Sequence, residues 1–171
     1  MIIGAIDVGI INLALVVYDT TYQQFSMYLV DITRKCPPMC PLQFHTKSIT
    51  DRMHHFLYRY CDIIDTCDTL LIEQQPLCGL QGVEVALCTR WRAKIVMVSP
   101  RSMHKHFNIG NLTRLGRKCA TTTIAIKELE SVGHPNPMGK LVRKHDVADA
   151  ICMIIFYLST SFTKTSTYFS I

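Results

Sequence analysis

The sequence predicts an α/β fold, a mixed five-stranded sheet flanked by helices, on three observations. Two Ile/Val-rich runs lie either side of a glycine in "IGAIDVGIINLALVVYD", residues 3–19. A third, alternating run follows at 24–32. From residue 69 onward short apolar runs alternate with segments of helical period, the pattern of parallel strands joined by helices.

The first two runs, 2–8 and 12–18, read as a hairpin with Gly9 giving the turn its freedom, and with 24–32 they form an antiparallel meander. Three prolines in "CPPMCP" then forbid a regular ladder and mark a loop. Ile49, Met53, Phe56, Leu57, Tyr60 and Ile64 recur at helical spacing, with Ser48 and Thr50 as candidate caps. "TLLIEQQP" (69–76) is a short buried strand that turns polar where it emerges. A helix over 80–92, a buried strand over 94–100 and a helix over 117–131 follow, the last stopped by Gly133, Pro135 and Pro137. The final helix spans 142–158.

A chain of 171 residues, 49% apolar, fits one domain, placed at 1–160, followed by a Thr/Ser-rich tail at 161–171. The longest apolar runs are interrupted or too short to cross a bilayer about 30 Å thick. The N-terminus has no basic segment ahead of its apolar run, so a protein retained in the cell, with reduced thiols, is expected. Cys36, Cys40 and His45 have a spacing that zinc accepts, but no second ligand pair stands at a comparable spacing.

Four carboxylates need explaining. Asp7 ends the first strand, Glu73 ends the fourth, and Asp146 and Asp149 open the last helix at i and i+3, a spacing that shares a face. Acids in a first helical turn also complement the macrodipole, and an acid after "LLI" also marks a strand meeting water. Asp7 is harder to dismiss, because its flanks cannot support a charge. Two carboxylates about 4 Å apart repel by roughly 4 kcal/mol at an effective dielectric of 20, so a cluster of four calls for cations. Oxygen-only ligands favour Mg²⁺ or Mn²⁺, and two such ions serve in-line displacement at phosphorus.

With those four acids set aside, 18 basic residues face 9 acidic ones. The basic residues gather in "RWRAK" (90–94), "RSMHKH" (101–106), "RLGRK" (114–118) and "KLVRK" (140–144), each readable as a solvated loop and together suited to a polyanion.

"AIDVGIINLALVV", "LLIEQQP" and "RKHDVADAICMI" resemble the acidic motifs of RuvC-type Holliday junction resolvases in the ribonuclease H superfamily, most nearly the poxvirus resolvases. The likeness covers residues 2–158. It implies a ribonuclease-H-like fold and a homodimeric endonuclease that nicks four-way DNA junctions in pairs and leaves 5′-phosphate and 3′-hydroxyl ends. The setting it implies is resolution of viral genome concatemers in the host cytoplasm, with no membrane involved. It also implies that Asp7, Glu73, Asp146 and Asp149 bind two Mg²⁺ or Mn²⁺ ions. Lys118, with Arg117 as its rival, takes the place of a basic residue at the scissile phosphate.

Other readings are a sugar-kinase or actin-like ATP site, a non-catalytic DNA-binding module of the same fold, and a nuclease acting on RNA–DNA hybrids or flaps. The first needs two related halves, for which the chain lacks room. The second leaves the retained acids without a purpose.

Overall fold

The computed structural model describes residues 1–33, 46, 48–76, 80–134 and 144–166, with side chains to 161. Its sheet has the order β3-β2-β1-β4-β5. Strands β1 (Ile2–Asp7), β2 (Leu13–Asp19) and β3 (Gln24–Val30) form the antiparallel meander, in which Asp7 pairs with Ala14. Strands β4 (Thr69–Glu73) and β5 (Ile95–Val98) join parallel to β1 and to each other. Strand β1 is therefore central.

Gly9 matters in a different way from the one its freedom suggests. A Cβ there would lie 2.5 Å from the Asn12 carbonyl oxygen, so the β1–β2 turn closes only because position 9 has no side chain.

Helix α1 (Ile49–Asp65) starts at Ser48, whose Oγ accepts from the Asp51 N–H, the cap its sequence predicts. It buries Met53, Phe56 and Ile64, each worth about 2 kcal/mol of apolar burial. With α2 (Gln81–Trp91) it covers one sheet face, over Ile6, Leu15, Leu70 and Ile72. On the opposite face α4 (Arg114–Ser131) and α5 (Lys144–Ser166) cover Ile3, Ala5, Val16 and Leu71.

Several boundaries differ from the sequence reading. A short helix, α3 (Pro100–His106), occupies a stretch read only as basic, with Pro100 pre-setting its first turn. Helix α4 begins at Arg114 rather than 117, on a Thr113 cap that accepts from the Gly116 N–H. Strand β3 stops at Val30, and β4 stops at Glu73. Strand β5 is only partly buried: it is an edge of the sheet, with Val98 in the core but Val96 and Met97 each 38% exposed beside a cleft lined by Phe156 and Tyr157. Helix α5 runs to Ser166, past the expected 158, and Thr160 bonds back to the Phe156 carbonyl within it. Cys36, Cys40 and His45 lie outside the described residues, as does most of "KLVRK". Among the described residues no helix is long and apolar enough to cross a membrane.

Candidate active site

Side chains alternate across a strand, so the faces are fixed by register. Ile3 and Ala5 pack toward α4 and α5, which puts Asp7 on the same side of β1. Leu71 does the same on β4 and carries Glu73 with it. Both strands are parallel and adjacent, so the two carboxylates leave the sheet side by side. Helix α5 crosses that face, with Asp146 in its first turn and Asp149 one turn on.

The electrostatics show all four acids within reach of one another. Burial first, and then the charges of Glu73, Asp149 and Asp146, hold Asp7 well above the usual carboxylate range. Asp7 also shares a side-chain hydrogen bond with Glu73, and both carboxyls are held above their ordinary range. Burial likewise raises Glu73, against the opposing pull of Asp7 and Gln75. Asp149 is pushed up to about 6 by burial, then by Glu73 and Asp146, while a hydrogen bond from Thr121 and the Lys118 ammonium oppose the rise. All four residues are partly exposed to solvent.

Among the described residues no three His, Cys, Asp or Glu side chains stand close enough together to ligate one ion as placed. The donor set itself, four converging carboxylates under mutual repulsion, has the chemistry that suits a hard divalent ion.

Lys118 lies on α4, and its ammonium is the smallest of the influences named on Asp149, opposing the rise. Arg117 is engaged elsewhere on its own loop. Arg117 donates to the Leu112 carbonyl at 2.6 Å and lies beside His104, which ties the α3–α4 loop together.

Of the basic groups, "RWRAK" is structural. Lys94 donates to the carbonyls of Ile64, Asp65 and Cys67 at 2.7, 3.1 and 3.0 Å, closing the C-terminus of α1. Arg90 stacks over Trp91 and pairs with Asp65.

Two neighbours of the acids escaped the sequence reading. Gln75 donates to Glu73 Oε2 at 3.2 Å while its own N–H donates to Glu84 of α2 at 3.0 Å, so "EQQP" is a brace for Glu73. Thr121 is almost completely buried beside Asp149. The signal for it was three β-branched hydroxyl residues in mid-helix, where hydroxyls are unfavourable without a task.

No family model and no curated protein matches the chain. Solved structures do. The fowlpox virus Holliday junction resolvase superposes with a TM-score of 0.64 at 17% identity, over 94% of this chain and 99% of that one. The same resolvase in complex with its substrate Holliday junction DNA gives 0.66 at 15% identity, covering 94% and 98%. The yeast mitochondrial Holliday junction resolvase Ydc2 gives 0.59 at 15% identity, covering 88% of this chain and 76% of that one. The fold is thus ribonuclease-H-like, the fold of these resolvases.

Proposed function

We propose that this chain is a metal-dependent endonuclease that resolves four-way DNA junctions by paired, symmetrical nicks. The observation that carries the reading is the meeting of Asp7, Glu73, Asp146 and Asp149 at one end of the central parallel strands, with Lys118 alongside. Three resolvase structures of the same fold support it. So does the charge distribution: no acidic residue stands between Glu84 and Glu128, a stretch that includes α3, the start of α4 and Lys118.

In this reading the four carboxylates would hold two Mg²⁺ or Mn²⁺ ions, which when bound activate water and stabilise the leaving oxygen of an in-line displacement at phosphorus. The chain's own groups prepare that reaction. β1 and β4, locked in the sheet, fix Asp7 and Glu73, and Gln75 orients the Glu73 carboxylate. Lys118 offers its ammonium to a phosphate oxygen next to Asp149, where charge builds during the displacement. Arg114 and Arg101, both exposed, continue the cationic edge along which a DNA backbone would lie. The products would carry 5′-phosphate and 3′-hydroxyl ends. The enzyme would act as a homodimer and resolve viral genome concatemers in the host cytoplasm.

The test is a synthetic four-way junction incubated with purified protein and Mg²⁺ or Mn²⁺, beside Asp7→Asn. Symmetrical nicks by the wild type, and a loss of at least about 10³-fold in the variant with junction binding retained, are expected. Equal cleavage by Asp7→Asn would overturn the reading. Preference for an RNA–DNA hybrid or a flap would keep the chemistry and replace the substrate.

A further inference from the structure

Thr121 and Thr122 are the two fully buried polar residues among the described ones, 1% and 5% exposed, and they adjoin on α4. Thr121 lies beside Asp149, and its Oγ1 is also 3.3 Å from the Lys118 carbonyl. Thr122 Oγ1 donates to the Lys118 carbonyl at 2.7 Å, a back-bond common for threonine in a helix.

What is not common is the third member. His145, on α5 immediately before Asp146, brings Nδ1 to 2.9 Å from that same Thr122 oxygen and 3.3 Å from that same Lys118 carbonyl. A carbonyl only accepts, and the Thr122 hydroxyl has already given its proton to it. Both contacts are therefore made only if Nδ1 carries the hydrogen and shares it between the two oxygens. The hub joins the helix that carries Lys118 to the helix that carries Asp146 and Asp149.

We propose that Thr122 and His145 are positioning residues that clasp the Lys118 backbone between α4 and α5 and so hold its ammonium beside the carboxylates. The assignment rests on the function proposed above, in which Lys118 faces the phosphate. A lysine has a long stem and about 2 kcal/mol of rotamer entropy, so it reaches one place consistently only when its base is fixed. No acid or base step is asked of His145.

Paired substitutions separate this role from mere packing. Thr122→Val keeps the shape and removes the hydroxyl, whereas Thr122→Ser keeps the hydroxyl and removes a methyl. His145→Asn keeps a donor near the Nδ1 position, whereas His145→Ala removes it. Junction cleavage with Mg²⁺ should lose about 10–100-fold in kcat for Thr122→Val and His145→Ala, with KM nearly unchanged, while Thr122→Ser and His145→Asn stay near wild type. Wild-type kcat in Thr122→Val, or an equal loss in Val and Ser, would overturn the proposal.

A second readout does not depend on cleavage. ¹⁵N NMR of the metal-free protein, with His145 assigned from the His145→Asn spectrum, should show the Nδ1-protonated tautomer in wild type and Thr122→Ser, and a changed Nδ1 shift in Thr122→Val, where only the Lys118 carbonyl is left to accept. An Nε2-protonated His145 in the wild type would sink the clasp. Should the wild type cleave no junction, the functional reading fails, and the tautomer still decides whether the clasp exists.

Discussion

Asp7 sits at the end of an apolar strand, and everything around it opposes its charge: burial, then Glu73, Asp149 and Asp146. Opposed charge is a statement about stability. Asp149, raised to about 6 from an ordinary value of 3.8, keeps its proton in the folded state at pH values where the unfolded chain has lost it. Between those two values the folded state binds more protons, so stability falls as pH rises through the window and stays lower above it. For Asp149 the difference is on the order of 3 kcal/mol, and Asp7 and Glu73 shift in the same direction. In chelator-treated protein, Asp149→Asn should therefore raise the melting temperature at pH 8 and change it little at pH 4. Thermal unfolding of the two proteins side by side measures this, and a variant less stable than wild type at pH 8 would contradict it. Added Mg²⁺ should narrow the gap at pH 8 by stabilising the wild type more than the variant, and an equal shift in both would count against Asp149 as a ligand. Asp7 was singled out in the sequence because it interrupts an apolar run, Glu73 because it ends a strand, and Asp146 and Asp149 because their i, i+3 spacing shares a helix face. Gln75, Thr122 and His145 were not, since their role lies in contacts across distant segments that no spacing announces.

At the scale of elements, local chemistry and tertiary contacts divide the outcome. The meander, α1 and its Ser48 cap were readable because period, cap and glycine agree there. The start of α4 was missed because its first turn is basic, Arg114 and Arg117, where a helix dipole ordinarily prefers acids. Helix α3 was missed because seven residues give too little period to read. Lys94 teaches the converse: a cation inside a basic cluster, expected at nucleic acid, is folded back onto the end of α1, which has no basic residue in its own last turn. Lys94→Met should thus cost about 2 kcal/mol of stability, the worth of a charged donor at orphaned carbonyls, and leave junction affinity within about twofold. Urea unfolding and a gel-shift titration check the two halves. A variant of normal stability with tenfold weaker binding would return Lys94 to the nucleic-acid surface.

Over the whole molecule, a mixed five-stranded sheet was legible because a hairpin meander and one parallel crossover leave few alternatives, and the structure adds its order, β3-β2-β1-β4-β5, with Asp7 on the central strand. The edge position of β5 did not follow, since an apolar strand of four residues looks alike in the middle of a sheet and at its rim. The consequences for function are those of symmetry. A four-way junction has two equivalent scissile positions, and one chain has one carboxylate cluster. Two nicks within a single encounter thus require two copies related by a two-fold axis. Sedimentation velocity should show a dimer at the concentrations used for cleavage. On a supercoiled plasmid that extrudes a cruciform, the dimer should convert circles to linear product with little nicked circle, because the second site acts before the protein leaves. Under the proposed function, raising the salt would screen phosphate contacts with the acid-free stretch, so encounters should shorten and nicked circle should accumulate. A monomer that produces nicked circles at every salt concentration would refute paired cleavage while leaving the carboxylate chemistry of each chain intact.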